Sequence, residues 1–125
     1  MIGMNRDTGK VCEGVDHLNQ SIDDILGTPM GTLIGSRDYG SLVPEQIDQP
    51  NNALGRARIF AAAALALLRL EPRARISRIT LSPGGQPHQV VLTVTGRRTD
   101  IMGAPTFSTT TNVCALSALV QGVTA

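Results

Sequence analysis

Aromatic side chains are nearly absent from these 125 residues: there is no Trp, one Tyr and two Phe, 2% of the chain. A carbohydrate-stacking cleft or a single-strand nucleic-acid platform needs aromatic faces, so both classes are disfavoured. Lysine is almost missing as well, Lys10 being the only one. The two cysteines, Cys12 and Cys114, stand alone near opposite ends, without the CxxC or Cys/His spacing of a metal site. Two buried thiols in a reducing compartment are expected rather than a bridge joining the ends. The longest uncharged apolar run, Ile59 to Leu68, has ten residues. That is half of the roughly 20 residues a membrane helix needs. No basic region followed by an apolar stretch opens the chain, so no secretory signal is read there. The expectation is a soluble protein, intracellular when made.

Catalytic constellations are missing too. No GxSxG, HExxH, P-loop or GxGxxG occurs. His17 directly follows Asp16, and neighbours at i,i+1 on a helix do not face each other. His88 sits beside Pro87 in a loop. No catalytic, cofactor-binding or metal-binding residue is assigned, and the chain is read as a non-enzyme.

Enough apolar residues are present, 42% against 17% charged, to bury a core made of Ala, Leu, Ile and Val. The length fits one domain over residues 1–125. A net charge of +1 provides no overall attraction to DNA or an anionic membrane. The signs are unevenly spread. Asp16, Asp23, Asp24, Asp38, Glu45 and Asp48 lie in the first half, and most of the arginines lie in the second. Arg suits planar, bidentate pairing at protein interfaces, while a solvated basic face is the plainer reading.

The hydrophobic pattern outlines an α+β chain, with N-terminal helices, one of them long and buried, followed by a small antiparallel C-terminal sheet. Residues 1–15 are irregular, with one short strand at most. Asp16 is the expected N-cap of a first helix, whose Leu18, Ile22, Ile25 and Leu26 form one stripe. Gly27 is expected to close it in the left-handed conformation, and Pro29 prevents a restart. Thr28 to Gly40 reads as an ordered glycine loop and Ser41 to Asp48 as a short helix. The main helix is expected from about Asn52 to Leu70. Leu54, Ala57, Ala61, Ala64, Leu65 and Leu68 line one side, and alanine and leucine all round imply burial on several sides. Strands follow over Ile76–Leu81 and Gln89–Thr95, joined through Ser82–Pro87, with a last strand between Pro105 and Leu116.

The most informative phrase is Glu71-Pro72-Arg73. A proline disfavours α conformation in the residue before it, so the long helix should stop near Leu70. An acid and a guanidinium are then fixed at a helix end, to clamp local structure or to grip another protein. Asp38-Tyr39-Gly40-Ser41 reads as a glycine turn carrying the lone tyrosine inward, with direct contact to a partner as the other reading. A glycoside hydrolase would need Glu71 opposed by Asp38 or Asp48. Arg73 should keep Glu71 ionised, the reverse of what a general acid requires.

Taken in order, these phrases resemble the baseplate wedge and sheath-initiator family of contractile-tailed phages, which includes baseplate assembly protein W and relatives in type VI secretion baseplates. The matching pieces are Gly3-Met4-Asn5-Arg6, His17, Gln20-Ser21-Ile22, Asp24-Ile25-Leu26 and Thr28-Pro29. They continue with Asp38-Tyr39-Gly40-Ser41-Leu42, Ile47-Asp48-Gln49-Pro50, Glu71-Pro72-Arg73 and Leu92-Thr93-Val94-Thr95-Gly96. Members often carry an aromatic residue just before the triplet, where this chain has Leu70. The resemblance implies a structural protein of the virion's tail baseplate, present in multiple copies around the tail axis and built in the host cytoplasm. Its implied partners are other wedge proteins, tail sheath protein and central hub or tube proteins, with no cofactor, nucleic acid or membrane. Asp38, Tyr39, Gly40, Asp48, Glu71, Pro72 and Arg73 are its expected structural or partner-binding motif. Some relatives were labelled lysozymes, so a tail-associated peptidoglycan hydrolase is the competing reading.

Overall fold

The computed structural model describes residues 2–46, 52–85 and 89–112. It opens with a small antiparallel ribbon, β1 (Ile2–Met4) and β2 (Val11–Glu13), where the sequence suggested one short strand at most. Asn5 and Gly9, read from sequence as breakers, instead build the turn. The Asn5 side-chain oxygen accepts from the Asp7 and Thr8 amides at 2.9 and 3.0 Å, and Gly9 takes a positive φ of 67°.

The first helix, α1 (Gly14–Gly27), begins two residues before Asp16. Its N-cap is Glu13, without a side-chain cap bond, and Asp16 falls in the first turn, where a carboxylate complements the helix dipole. The end is placed as expected but by another device. Gly27 is not left-handed. The Thr28 amide and hydroxyl both donate to the Asp24 carbonyl, at 3.1 and 2.6 Å. Where a short helix was expected over Ser41 to Asp48, the described residues hold a 3-10 turn, Pro44–Gln46, and Ile47 and Asp48 lie outside them. Ser41 cannot join a helix because its amide and carbonyl are committed to Thr28 and Met30.

The second helix, α2 (Ala53–Leu70), is capped by the Asn52 side chain, which accepts from the Gly55 amide at 2.8 Å. Its buried face is Gly55, Ala63, Ala66 and Leu67. The side proposed from sequence is the outer one: Leu54, Leu65 and Leu68 are 59%, 61% and 69% exposed. An apolar run has no polar face to orient it. Small Gly and Ala side chains permit the close approach of α1 and the sheet, and the leucines are left outside.

Three further strands follow among the described residues in the order β3 (Ala74–Pro83), β4 (Val90–Arg98), β5 (Thr106–Asn112), all antiparallel. Each contains or falls within its expected segment, apart from Gln89, which precedes β4. β3 carries a bulge between Ile76 and Arg78. The helices cover the inner face of the sheet, α2 against β3 and α1 against β5. The core between the layers joins Leu18, Ile22, Ile25 and Leu26 of α1 to Leu67 of α2, Leu92 and Val94 of β4, and Phe107 of β5. Gly96 makes room for the Phe107 ring, since a Cβ there would stand 3.0 Å from it. Among the described residues, two helices and two small antiparallel sheets make the α+β class read from sequence.

Candidate functional site

Where α2 meets β3, Glu71 caps the helix with φ −126° and ψ 80°, outside the α region as the following proline requires. Its amide still donates to the Leu67 carbonyl at 2.9 Å. Its side chain is 4% exposed and turns inward. Oε1 accepts from Arg73 Nε at 2.6 Å. Oε2 accepts from Arg73 Nη2 at 2.8 Å and from the Ser21 hydroxyl at 2.6 Å. Arg73 thus makes a bidentate fork one residue past a rigid proline, and Ser21 ties the fork to α1. Thr99, just after β4, donates its amide to the Arg73 carbonyl at 2.9 Å and its hydroxyl to the Pro72 and Arg73 carbonyls at 3.2 Å. The triplet therefore pins α1, the α2-to-β3 corner and the end of β4 at one point.

Burial is the largest single influence on Glu71 and opposes ionisation. The bonds from Arg73 and then Ser21 together outweigh it and hold the carboxyl below its ordinary range. The bond to Glu71 raises Arg73 in turn.

The Asp38–Ser41 turn reaches the same corner. Arg69, on the last turn of α2, donates to the Asp38 carbonyl. Tyr39 is half-buried against the core, and its phenol is raised by burial, then by the Asp24 and Glu71 carboxylates. Gly40 has a φ of 114°, and any Cβ would stand 2.5 Å from the Thr28 carbonyl oxygen. Glycine is the one residue that satisfies both conditions. Ser41 is fully buried, and its hydroxyl donates to the Leu26 carbonyl at 3.0 Å.

Six of the seven motif residues expected from sequence, Asp38, Tyr39, Gly40, Glu71, Pro72 and Arg73, are thus gathered at or beside one corner. Asp48 lies outside the described residues, as do His88 and Cys114. Cys12 is a free, buried thiol. His17 packs its ring against the Gly3 backbone, and its Nδ1 has no hydrogen-bond partner among the described residues. Ser21, Arg69 and Thr99 were not singled out as site residues. Ser21 fell within one matching phrase, and Arg69 carried the weak signal of a cation at a helix C-terminus. Thr99 carried none, because its role depends on where β4 ends.

Among the described residues no three His, Cys, Asp or Glu side chains are grouped to hold a metal, and no helix is long and apolar enough to cross a membrane. A depression of about 360 Å³ at the start of α2 is lined by Asn52, Ala53, Arg56, Ala57 and Phe60, with no acid, histidine or thiol.

A corner built to lock helices to a sheet, on this two-layer fold, defines a scaffold of a particular kind. Residues 12–100 match the family model described as baseplate wedge protein gp25, and the chain belongs to that family. Baseplate protein W of Escherichia phage P2 is 39% identical over 99 residues, 79% of this chain and 85% of that protein. A chain of the post-contraction pyocin R2 baseplate, seen by cryo-EM, is 34% identical with a TM-score of 0.67, covering 78% of this chain and 98% of that one. The crystal structure of a putative tail lysozyme from Geobacter sulfurreducens shares the fold, with a TM-score of 0.72, 21% identity and coverage of 82% and 93%.

Proposed function

We propose that the chain, acting as one unit over residues 1–125, is a structural component of a contractile-tail baseplate wedge and templates the first ring of tail sheath. The observation that carries this is the three-stranded sheet. β3 and β5 flank β4, and neither has a second neighbouring strand among the described residues. Open strand edges display unpaired amides and carbonyls on which another chain can add a strand. The wedge family and the P2 and pyocin relatives support a place in the tail baseplate; on this reading the chain is assembled in the host cytoplasm and present in copies around the tail axis of the virion. Partners are neighbouring wedge chains, sheath protein and hub or tube proteins. Glu71, Pro72 and Arg73 serve this role from inside. Their clamp fixes the angle at which β3 leaves α2 and so sets the geometry of the template, with the Asp38–Tyr39–Gly40 turn as its brace and Asp48 in the segment leading into α2.

Co-expression with the other tail genes of its source, followed by native mass spectrometry and hydrogen exchange, tests this directly. A defined complex with wedge or sheath chains is expected, with the amides of β3 or β5 gaining protection. A lone folded monomer would overturn the assembly role. A complex whose new protection avoids both edges would overturn strand addition.

The name of the Geobacter relative favours a second reading, a peptidoglycan hydrolase. Glu71 argues against it. Both its oxygens are engaged, and its carboxyl is held ionised, whereas a general acid is held protonated. Purified chain is expected to release no dye from labelled peptidoglycan. Release that Glu71→Gln removes would reverse this conclusion.

A further inference from the structure

The outward face of the sheet carries groups that edge pairing does not use. The register sets Arg75 opposite Arg97 and Arg78 opposite Thr95. These positions alternate with the inward row of Leu92, Val94 and Gly96, so they share the solvent side, where all three arginines are exposed. Thr93, Thr95 and Thr110 continue the face as hydroxyls, and no carboxylate occupies an outward position of the three strands. The side chains of Arg75, Arg78 and Arg97 make no ion pair or hydrogen bond among the described residues.

Like charges directly opposite each other in an antiparallel pair repel and weaken the sheet that bears them. Among the described residues the fold tolerates Arg75 against Arg97 with no counter-charge at the face. Residues 113–125 hold no charged side chain. The Arg75/Arg97 pair and Arg78 stand about two residues apart on the pleat, roughly 7 Å along the strand. That spacing matches alternate side chains of an extended polypeptide.

We propose that this face docks an acidic protein segment, extended, with carboxylates at alternate positions that accept bidentate bonds from Arg75, Arg78 and Arg97. A nucleic acid fits less well. The face offers no aromatic group for a base to stack on, and a net charge of +1 gives no long basic track for a phosphate backbone. The proposal stands apart from the sheath-template reading, since it concerns the face of the sheet and not its edges.

The test is an NMR titration of the full chain with a peptide of about ten residues alternating Glu and Thr. A Lys/Thr peptide and a thymidine single strand of similar length are the comparators. Saturable shifts at Thr93, Thr95 and Arg97 are expected with the acidic peptide, weakening as salt rises from about 50 to about 300 mM. Arg75→Gln/Arg97→Gln should weaken binding about tenfold or more. Lys10→Gln/Arg37→Gln, an equal loss of two charges at exposed positions outside the three-stranded sheet, should leave it unchanged. Relief of repulsion should also raise the melting temperature of the double variant by roughly 1–4 °C. A variant that binds less but melts higher separates a docking role from a structural one. Shifts elsewhere, no saturation, undiminished binding by the double variant or a lower melting temperature would overturn the proposal. Tighter binding of the thymidine strand would overturn it in favour of nucleic acid.

Discussion

Replacing Glu71 by Ala should destabilise the isolated chain by about 3 kcal/mol, or roughly 10 °C in melting temperature. The change strips the acceptor from Arg73 and from the Ser21 hydroxyl at once and leaves a void beneath a helix end. Removing one member of a buried ion pair costs about 3–5 kcal/mol when the survivor has no access to water. The Arg73 side chain is 22% exposed, so its guanidinium can recover part of its hydration, which puts the effect at the lower end. Glu71→Gln keeps the shape and one acceptor but turns a donor toward the guanidinium, and should lose about half as much. Calorimetry on the two variants, with a double-mutant cycle through Arg73→Ala, would measure this. A coupling below about 0.5 kcal/mol would mean that the triplet is not a clamp.

The same contact sets a pH dependence. Glu71 is held below its ordinary range in the folded chain, so the unfolded chain binds its proton more readily. Its contribution is therefore complete above the unfolded carboxyl's titration range and disappears as pH falls through the lower, folded value. The stability gap between the native chain and Glu71→Gln should be flat from neutral pH down to the ordinary glutamate range and should close below it. This also bears on assembly experiments. Arg73→Glu would set two carboxylates against each other at a buried cap, so lost assembly in that variant would reflect a lost fold.

Local signals and packing signals differ in what they reveal. The start of α2 near Asn52, the stop at Glu71-Pro72 and the alternation in β4 depend on residues within a turn of one another, and all are visible in the sequence. Glu71 and Arg73 meet because a single stiff residue separates them, so their pairing was also legible. The contacts to Ser21 and Thr99 were not, since they depend on how α1 and the end of β4 dock. At Thr28 the boundary was right and the device wrong, because a hydroxyl took the role expected of Gly27. The Asn5–Gly9 turn was missed because turn-formers look like breaks until two strands flank them. The arginines of the outward face were visible as a charge bias, but their meeting across β3 and β4 needs the register.

The orientation of α2 is where sequence reasoning had least purchase, and Leu67 tests it. Leu67→Ala should destabilise the chain by about 2–5 kcal/mol, since the side chain is fully buried between α1 and the sheet and its removal leaves a cavity. Leu65→Ala and Leu68→Ala, on the same helix with the same atoms removed, should each change stability by no more than about 0.5 kcal/mol, because both side chains are more than half exposed. Denaturant unfolding of the three variants measures the contrast. The hydrophobic content of the run, equal at every position, cannot produce it. It arises from Gly55, Ala63 and Ala66, whose small side chains decide which stripe can approach the core, and Leu67 is carried in with them. Equal losses at all three leucines, independent of protein concentration, would place both stripes in the folded interior and overturn the packing described for α2.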